Sequence, residues 1–341
     1  MLLLMACTPK DVEPPSNDST VEADADTDTD ADTDADTDAD TDADSDADAD
    51  TDADADADAD TDADADTDCA DDTGDPEATW VGISAGGTHA CGLKSDGRVL
   101  CWGEDRHGQT CVPSGEYTQV VAGMDFSCAL RTDETILCWG NEAMGLTPSD
   151  NNFTYFAGFY MPCGIHPDQS ASCWTVYGIE PPLRNDLVRI APGVDHVCAI
   201  TTAGSLLCWG DNSFSQTSHP DEGVYTDLCS GAYFSCALRD DNRVLCWGGD
   251  YYTDLGYYDL GSNPPRRYLD VSCAWTTRCL LNMDGDVECA TQGGEFPLHA
   301  GPFVEIDDGG TSYHLVCGLR ADGTAECWGD NHWGEADVPE E

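Results

Sequence analysis

The feature that most constrains this chain is a pair of cysteines ten residues apart, which occurs seven times in 341 residues. In six of the seven copies a tryptophan follows the second cysteine directly. Because the spacing is constant within each copy and the copies recur about every 38 residues, the pattern predicts one structural unit repeated seven times. The pairs are Cys91–Cys101, Cys128–Cys138, Cys163–Cys173, Cys198–Cys208, Cys236–Cys246, Cys279–Cys289 and Cys317–Cys327.

The residues between the cysteines predict how each unit folds. Between Cys91 and Cys101 an Asp-Gly dipeptide lies among alternating apolar residues, which is typical of a tight β-hairpin. Folding the segment there places the two cysteines opposite each other and Leu93 opposite Val99. The two positions equivalent to Leu93 and Val99 are apolar in all seven copies. We therefore predict seven hairpins in one register. Directly opposed Cα atoms in such a hairpin lie about 4.5 Å apart, so a disulfide bond can join the two cysteines. Each bond would stabilise the folded state by about 2–3 kcal/mol.

Metal binding is the alternative role for regularly spaced cysteines. Zinc sites favour cysteines two to four residues apart with histidines nearby, whereas here the eight histidines fall irregularly. We therefore expect disulfide bonds, no metal site and an oxidising compartment outside the cytoplasm. Of the remaining cysteines, Cys229 and Cys273 could bridge neighbouring copies, and Cys69 and Cys111 have no obvious partner.

Residues 21–68 form a separate, highly acidic segment. Aspartate occupies every even position from 24 to 68, alternating mostly with alanine and threonine, and contributes strongly to a formal net charge of −55. Without large apolar side chains such a segment cannot fold, so we predict an extended, disordered linker over residues 8–78. It lacks the glycine turn and bidentate acid of a calcium loop, so we expect no cofactor and only weak, non-specific calcium association. With only 13 lysines and arginines, the composition also argues against nucleic-acid binding.

The first seven residues resemble the end of a bacterial lipoprotein signal peptide. Leu4, Met5 and Ala6 precede Cys7 in the order of a lipobox, although a basic region and most of the apolar run are missing. Residues 1–7 are therefore interpreted as a truncated signal peptide, with Cys7 as the lipidated residue. This predicts a lipid-anchored protein of the bacterial cell envelope, at the outer membrane or cell surface. The alternative is a cytosolic protein with a leucine-rich start.

The repeat itself resembles a known family. Residues 85–103 read AGGTHACGLKSDGRVLCWG and are followed by Gly108 and Gln109, a pattern similar to the regulator of chromosome condensation repeat. The resemblance implies an all-β fold, a seven-bladed β-propeller over residues 79–341. It is specific in five copies and weaker in two, since Thr175 replaces a glycine in the third and Ala290 and Thr291 replace Trp-Gly in the sixth.

Within such a propeller, the repeated tryptophans are expected to pack between blades. Residues 337–339 match residues 111–113, so the last repeat should run into the first and close the ring. His89 and His196 share one repeat position where other copies have Phe or Met, which predicts packing rather than ligand binding.

Function is less constrained than fold. No phosphate loop, nucleophile elbow or metalloprotease motif is present, so we expect a binding protein and not an enzyme. The leading hypothesis is a surface-displayed, monomeric module that recognises a protein or glycan through its loops. The insertion at residues 249–265 is rich in tyrosine, a favoured contact residue. A secreted hydrolase or lyase using loop carboxylates and a structural envelope protein remain alternatives. The tyrosines predicted to form a binding loop are Tyr251, Tyr252, Tyr257 and Tyr258.

Overall fold

The structure is a computed structural model. It describes residues 69, 74–141, 148, 152–158, 160–174, 179–220, 223–250, 253–254, 258–259, 266–291, 294–295, 297–309 and 315–339. All of these lie in one compact unit, Ala63–Glu341.

The described residues form twenty-four strands and no helix, so nothing in this part of the chain can cross a membrane as a helix. The strands make seven antiparallel sheets, which are the seven blades of a β-propeller. The blades are β1 (Trp80–Ala85), β2 (His89–Lys94) and β3 (Val99–Gly103); β4 (Tyr117–Ala122), β5 (Phe126–Arg131) and β6 (Ile136–Gly140); β7 (Tyr155–Ala157), β8 (Cys163–Ile165) and β9 (Ala171–Cys173); β10 (Leu187–Pro192), β11 (His196–Thr201) and β12 (Leu206–Gly210); β13 (Tyr225–Ser230), β14 (Phe234–Arg239), β15 (Val244–Asp250), β16 (Thr253–Asp254) and β17 (Tyr258–Asp259); β18 (Tyr268–Cys273), β19 (Arg278–Asn282), β20 (Val287–Thr291) and β21 (Gly294–Glu295); and β22 (Phe303–Gly309), β23 (Leu315–Arg320) and β24 (Ala325–Trp328).

The hairpin register predicted from the sequence is confirmed. In blade 1, Cys91 pairs with Cys101 and Leu93 pairs with Val99 across β2 and β3. The corresponding cysteines oppose each other in all seven blades, with Cα atoms 4.0–4.1 Å apart, and each pair is disulfide-bonded. Leu93 and Val99 are both buried, so a slip of one residue would remove this apolar pair from the core, and the repeated apolar pair therefore fixes the register.

Two further disulfide bonds join more distant parts of the chain. Cys229 on β13 is bonded to Cys273 on β18, so this bond links blades 5 and 6. Cys69 is bonded to Cys111, a pairing that the sequence did not reveal because its 42-residue separation follows no repeat. This bond attaches a residue of the predicted linker region to the segment that follows blade 1.

Hydrogen bonds from tryptophan and histidine connect successive blades. The indole Nε1–H of Trp139 in blade 2 donates to the carbonyl oxygen of Gln109, 2.9 Å away, in the segment after blade 1. His89 is fully buried, and its Nε2 lies 2.9 Å from the hydroxyl of Ser127, which itself donates to the same Gln109 carbonyl. Burial lowers the pKa of His89 to about 4. Its imidazole is therefore a neutral packing residue, as predicted.

The ring closes between blades 7 and 1. The indole of Trp102 in blade 1 donates to the carbonyl of Glu335, which follows blade 7 in the chain, at 3.0 Å. Trp80 and Trp102 also pack in one buried cluster with Leu315 and Leu319 of blade 7. This closure brings the first strands of all seven blades around a central channel.

Candidate binding site in the central channel

The inner strands place one equivalent residue from each blade in the channel. In six blades the inner strand has a register shift just before this residue, typical of a β-bulge that re-aims a side chain. All seven residues are half-buried and line a cavity of 610 Å³. We call them the channel ring: Gly82, Gln119, Tyr155, Arg189, Asp227, Asp270 and Glu305.

The charges in the channel are uneven. Carboxyl groups come from blades 5, 6 and 7, whereas blades 1, 2 and 3 contribute a glycine, an amide and a phenol to the ring. Among the described residues that line the channel there are five carboxyl groups and one basic side chain, Arg189. We call the five the channel carboxyls: Asp227, Asp270, Glu305, Asp307 and Asp308.

Some of these side chains hold neighbouring blades together. One carboxyl oxygen of Asp270 accepts the backbone N–H of Ile306 in blade 7 at 3.0 Å. Asp307 bridges three blades, because it accepts hydrogen bonds from the Ser84 hydroxyl at 2.8 Å and the Ser272 hydroxyl at 3.0 Å. At the neutral side of the ring, the Gln119 amide donates to the Phe156 carbonyl at 2.7 Å. The ring position therefore makes an inter-blade contact in blades 2 and 6, and Asp307 makes a further one two residues after the ring position of blade 7.

The channel environment weakens the acidity of the carboxyl groups. Burial, followed by repulsion from Asp227, raises the pKa of Asp270 to about 6, although two backbone N–H groups oppose the shift. Burial and the nearby Asp270 and Asp307 raise the pKa of Glu305 to about 7. Burial also raises the pKa of Asp307, which its hydrogen-bond donors offset only in part. Like-charged groups in a confined, partly dry space favour the neutral form.

Arg189 provides partial compensation from blade 4. Burial works against its charge, but Asp227, Tyr155 and Asp270 together hold the pKa of Arg189 above its ordinary value. Its guanidinium carbon lies 5.2 Å from the centre of the Tyr155 ring, within cation–π distance. The guanidinium thus lies over an aromatic ring, and the charges of Asp227 and Asp270 stabilise it at longer range.

Asp308 is the most isolated of the carboxyl groups. It is 3% exposed and lines the cavity, and neither carboxyl oxygen has a hydrogen-bond partner. Burial, and then repulsion from Asp307, raises the pKa of Asp308 well above its usual range, and the nearby backbone of Ala274 opposes this only in part. A buried polar group without a partner costs about 1–3 kcal/mol, so burial at this position disfavours the charged form of the Asp308 carboxyl in particular.

The two ends of the channel differ in chemistry. At the end where the inner strands begin, Val81, Leu269 and Val304 line the cavity and are 43–51% exposed. These apolar side chains precede the channel ring by one residue in their blades. The end therefore presents an apolar rim outside a polar interior. We call it the apolar mouth, defined by these three residues.

Aromatic rings meet at the opposite end, where loops join the first and second strands. Tyr160 of blade 3 contacts Trp275 of blade 6, with ring centroids 5.0 Å apart. Because these blades lie on opposite sides of the ring, the contact spans the channel. Tyr233 lies 6.3 Å from Trp275 and 5.0 Å from Phe214, so the four half-buried rings form a continuous surface. We call these four residues the aromatic face.

Most of the binding residues predicted from the sequence cannot be placed. Cys7, Tyr251, Tyr252 and Tyr257 lie outside the described residues. Tyr258 is in β17, where its backbone pairs with Cys246 beside β15. The structure therefore neither assembles nor excludes the predicted tyrosine loop.

Sequence reasoning missed the channel carboxyls, although part of the signal was present. Asp227 and Asp270 each lie nine residues before the first cysteine of their hairpin, as do Gln119 and Arg189. A polar residue recurring at one position of an inner strand indicates a shared polar surface. Asp308 carries no such signal, because the equivalent residue in other blades is small or apolar.

A comparison with protein families identifies the repeat. The family model described as "Regulator of chromosome condensation (RCC1) repeat" matches residues 80–109, 117–145, 188–216 and 225–253. These segments are RCC1 repeats. They correspond to blades 1, 2, 4 and 5, so the two weaker copies noted in the sequence, blades 3 and 6, are not matched, and neither is blade 7.

Solved propeller structures share the fold of these RCC1 repeats. The CRINKLY WD40 ectodomain of the receptor kinase ACR4 from Arabidopsis thaliana is 24% identical, with 75% of this chain and 97% of that chain covered and a TM-score of 0.61. The ectodomain of the receptor kinase CR4 from Physcomitrella patens is 20% identical, with 74% of each chain covered and a TM-score of 0.61. A weaker match, with 16% identity, 73% and 72% coverage and a TM-score of 0.42, is Prp20p from Saccharomyces cerevisiae. An RCC1-like propeller is a protein-interaction type of module.

Proposed function

We propose that this protein is a lipid-anchored binding module of the bacterial cell envelope, and that its aromatic face recognises a protein or glycan. The observation that carries the proposal is the continuous surface of Tyr160, Trp275, Tyr233 and Phe214 on a rigid scaffold. Aromatic residues are enriched where proteins bind partners, because they bury a large area and lose little conformational entropy.

The disulfide bonds support a location outside the cytoplasm. Nine bonds join cysteines in the described residues, and such a number persists only in an oxidising compartment. The lipobox-like residues before Cys7 supply an anchor, and the aspartate-rich segment supplies a spacer. Fully extended, the 48 residues of this spacer (21–68) reach on the order of 150 Å, so the propeller would stand well clear of the membrane.

The binding role is tested by capture from envelope extracts. The wild-type protein is compared with Trp275→Ala, which removes the ring that contacts both Tyr160 and Tyr233. The matched control is Met283→Ala, because Met283 is 54% exposed and lies in the hairpin turn between β19 and β20. We expect saturable binding to the wild type and control, and a loss of at least about tenfold for Trp275→Ala, as for an interface hot spot. Equal capture by all three proteins would show that the aromatic face is not the binding surface.

The anchor is tested separately by mass spectrometry of the native protein under non-reducing conditions. Acylation of Cys7 together with exposure of the propeller to protease on intact cells is the expected result. A free Cys7 with the protein retained in the cytoplasm would contradict the proposed location.

A further inference from the structure

Four cysteines lie in one row at the seam between blades 5 and 6. Cys229, Cys236 and Cys246 are directly opposed on β13, β14 and β15, so their side chains lie on the same face of blade 5. Cys273 on β18 joins this row from blade 6 through its bond to Cys229. We call these four residues the sulfur row. It contains two disulfide bonds, one between the blades and one within the hairpin of blade 5.

The two disulfide bonds of the sulfur row lie close together. The sulfur atoms of Cys229, Cys236 and Cys273 are all within 4.8 Å of one another. Disulfide bonds exchange when a thiolate attacks one sulfur of a neighbouring bond and displaces the other. The order of the residues across the sheet matches this reaction, because Cys229 is next to Cys236, and Cys246 follows Cys236 on the far side.

This arrangement occurs in blade 5 and not at the equivalent position of the other blades. The position of Cys229 is the one directly opposite the first cysteine of the hairpin. In the other six blades it is occupied by serine, valine, alanine or aspartate. These residues are Ser84, Val121, Ala157, Ala191, Ser272 and Asp307. The hairpin bond therefore does not require a third cysteine, and its presence in blade 5 needs a separate explanation.

Within the sulfur row, a dissolved thiol has better access to the bond between the blades. Cys229 and Cys273 both line the channel cavity, and each is 9% exposed. In the hairpin bond, Cys236 is fully buried and Cys246 is 2% exposed. Access limits the rate at which a disulfide bond is reduced. The hairpin bond of blade 5 is thus approached most easily from within the chain, by the sulfur of Cys229.

We propose that the sulfur row is a disulfide-exchange site that takes a small dithiol as its reductant. The dithiol reduces the Cys229–Cys273 bond to two thiols and is itself oxidised to a disulfide. The Cys229 thiolate then attacks the sulfur of Cys236. A Cys229–Cys236 bond forms, the Cys236–Cys246 bond breaks, and the electron pair leaves on Cys246, which takes up the proton that Cys229 released. This second step involves no net oxidation or reduction.

The exchange moves a covalent link from the seam into blade 5. The described contacts that then remain at this part of the seam are non-covalent, such as the hydrogen bond from the Ala232 N–H to the Trp275 carbonyl at 2.9 Å. Trp275 belongs to the aromatic face and follows Cys273 by two residues. The sulfur row is therefore a redox-sensitive latch of the propeller ring, placed next to the aromatic face.

The exchange step is tested without a reductant in Cys273→Ala, which leaves Cys229 as a thiol beside Cys236. The folded protein is alkylated with N-ethylmaleimide and digested with pepsin at low pH, where exchange stops. Cleavage at Phe234 separates the two cysteines for mass spectrometry. We expect a Cys229–Cys236 bond and at least about a tenth of the label on Cys246, because exchange replaces one disulfide bond by another of the same kind. Label on Cys229 with none on Cys246 would overturn the proposal.

The matched control is Cys111→Ala, which also leaves one partner of a long-range bond as a free thiol. That thiol is Cys69, which belongs to no cluster of three close sulfurs among the described residues. We expect its hairpin cysteines to remain unlabelled. Labelling of the hairpin cysteines to the same extent as in Cys273→Ala would show general scrambling of disulfide bonds and would overturn the proposal.

A second measurement uses the wild type and covers the case in which Cys273→Ala does not fold. The protein is treated with increasing concentrations of dithiothreitol, alkylated and mapped in the same way. We expect a species with a Cys229–Cys236 bond and with label on Cys246 and Cys273. A Cys236–Cys273 bond in its place would overturn the assignment of the attack to Cys229. Reduction in which no Cys229–Cys236 bond appears at any concentration would overturn the proposal.

Discussion

Replacing Glu305 with glutamine should remove a specific pH dependence from the stability of the propeller. In the folded protein, burial and the neighbouring Asp270 and Asp307 raise the pKa of Glu305 from 4.5 to about 7. The folded state therefore binds this proton more tightly than the unfolded chain does. The resulting stabilisation is complete below pH 4.5 and is lost as the pH rises through 7.

The size of the effect follows from the shift. At 1.36 kcal/mol per pKa unit, the full shift corresponds to about 3 kcal/mol. Asp270 has a pKa of about 6 and repels Glu305 when both are ionised. Part of this energy is therefore the interaction between the two carboxyl groups and not a property of Glu305 alone. We therefore expect the free energy of unfolding of Glu305→Gln, relative to the wild type, to rise by about 2–3 kcal/mol between pH 4.5 and pH 8.

The assay is equilibrium unfolding in guanidinium chloride with the disulfide bonds intact, repeated across that pH range. Glu180→Gln provides the matched control, because Glu180 is exposed and the same substitution there should give a curve parallel to the wild type. A stability difference between Glu305→Gln and the wild type that does not change with pH would refute the electrostatic account of the channel.

Two further substitutions test the contacts between blades. Ser127→Ala removes the hydroxyl that joins the buried Nε2–H of His89 to the Gln109 carbonyl. It should therefore lower the free energy of unfolding by about 1–3 kcal/mol. The control Ser213→Ala, at an exposed site, should change the free energy of unfolding by less than about 0.5 kcal/mol. Equal effects in urea unfolding would argue against the His–Ser contact. Removing the disulfide bond between blades 5 and 6 by a double alanine substitution should cost about 4 kcal/mol, and removing the hairpin bond of blade 1 about 3 kcal/mol, because the first bond closes a longer loop. The reverse order of melting temperatures would contradict the loop-entropy explanation.

Local, repeated features of the fold were predictable from the sequence. The hairpin register needed only residues within ten positions of each other, and seven copies gave the same answer. Closure of the ring was also predictable, because residues 337–339 repeat residues 111–113, and the contact between Trp102 and Glu335 agrees with it. Blade 7 departs from the regular pattern: seven positions separate Ser84 from its strand partner Cys91, whereas ten separate Asp307 from Cys317.

The candidate site was much less predictable. Asp307 and Ser84 are 223 residues apart in the chain, so no local pattern indicates their hydrogen bond. The spacing of Asp227 and Asp270 before the first cysteine of their hairpins was visible in the sequence. The direction of their side chains, however, depends on the bulge in each inner strand. The apolar mouth gave no signal either, since single exposed aliphatic residues are ordinary on protein surfaces.

The sequence by itself determined the repeated unit, the number of blades and the pairing of fourteen cysteines. These properties follow from short-range periodicity, which strand geometry converts directly into register. Only the tertiary structure decided that five acidic residues from three blades line one cavity. The reason is physical: closing the ring buries residues that are distant in the chain within a small volume of low dielectric constant. Burial first, and then their mutual repulsion, raises the pKa values of these carboxyl groups.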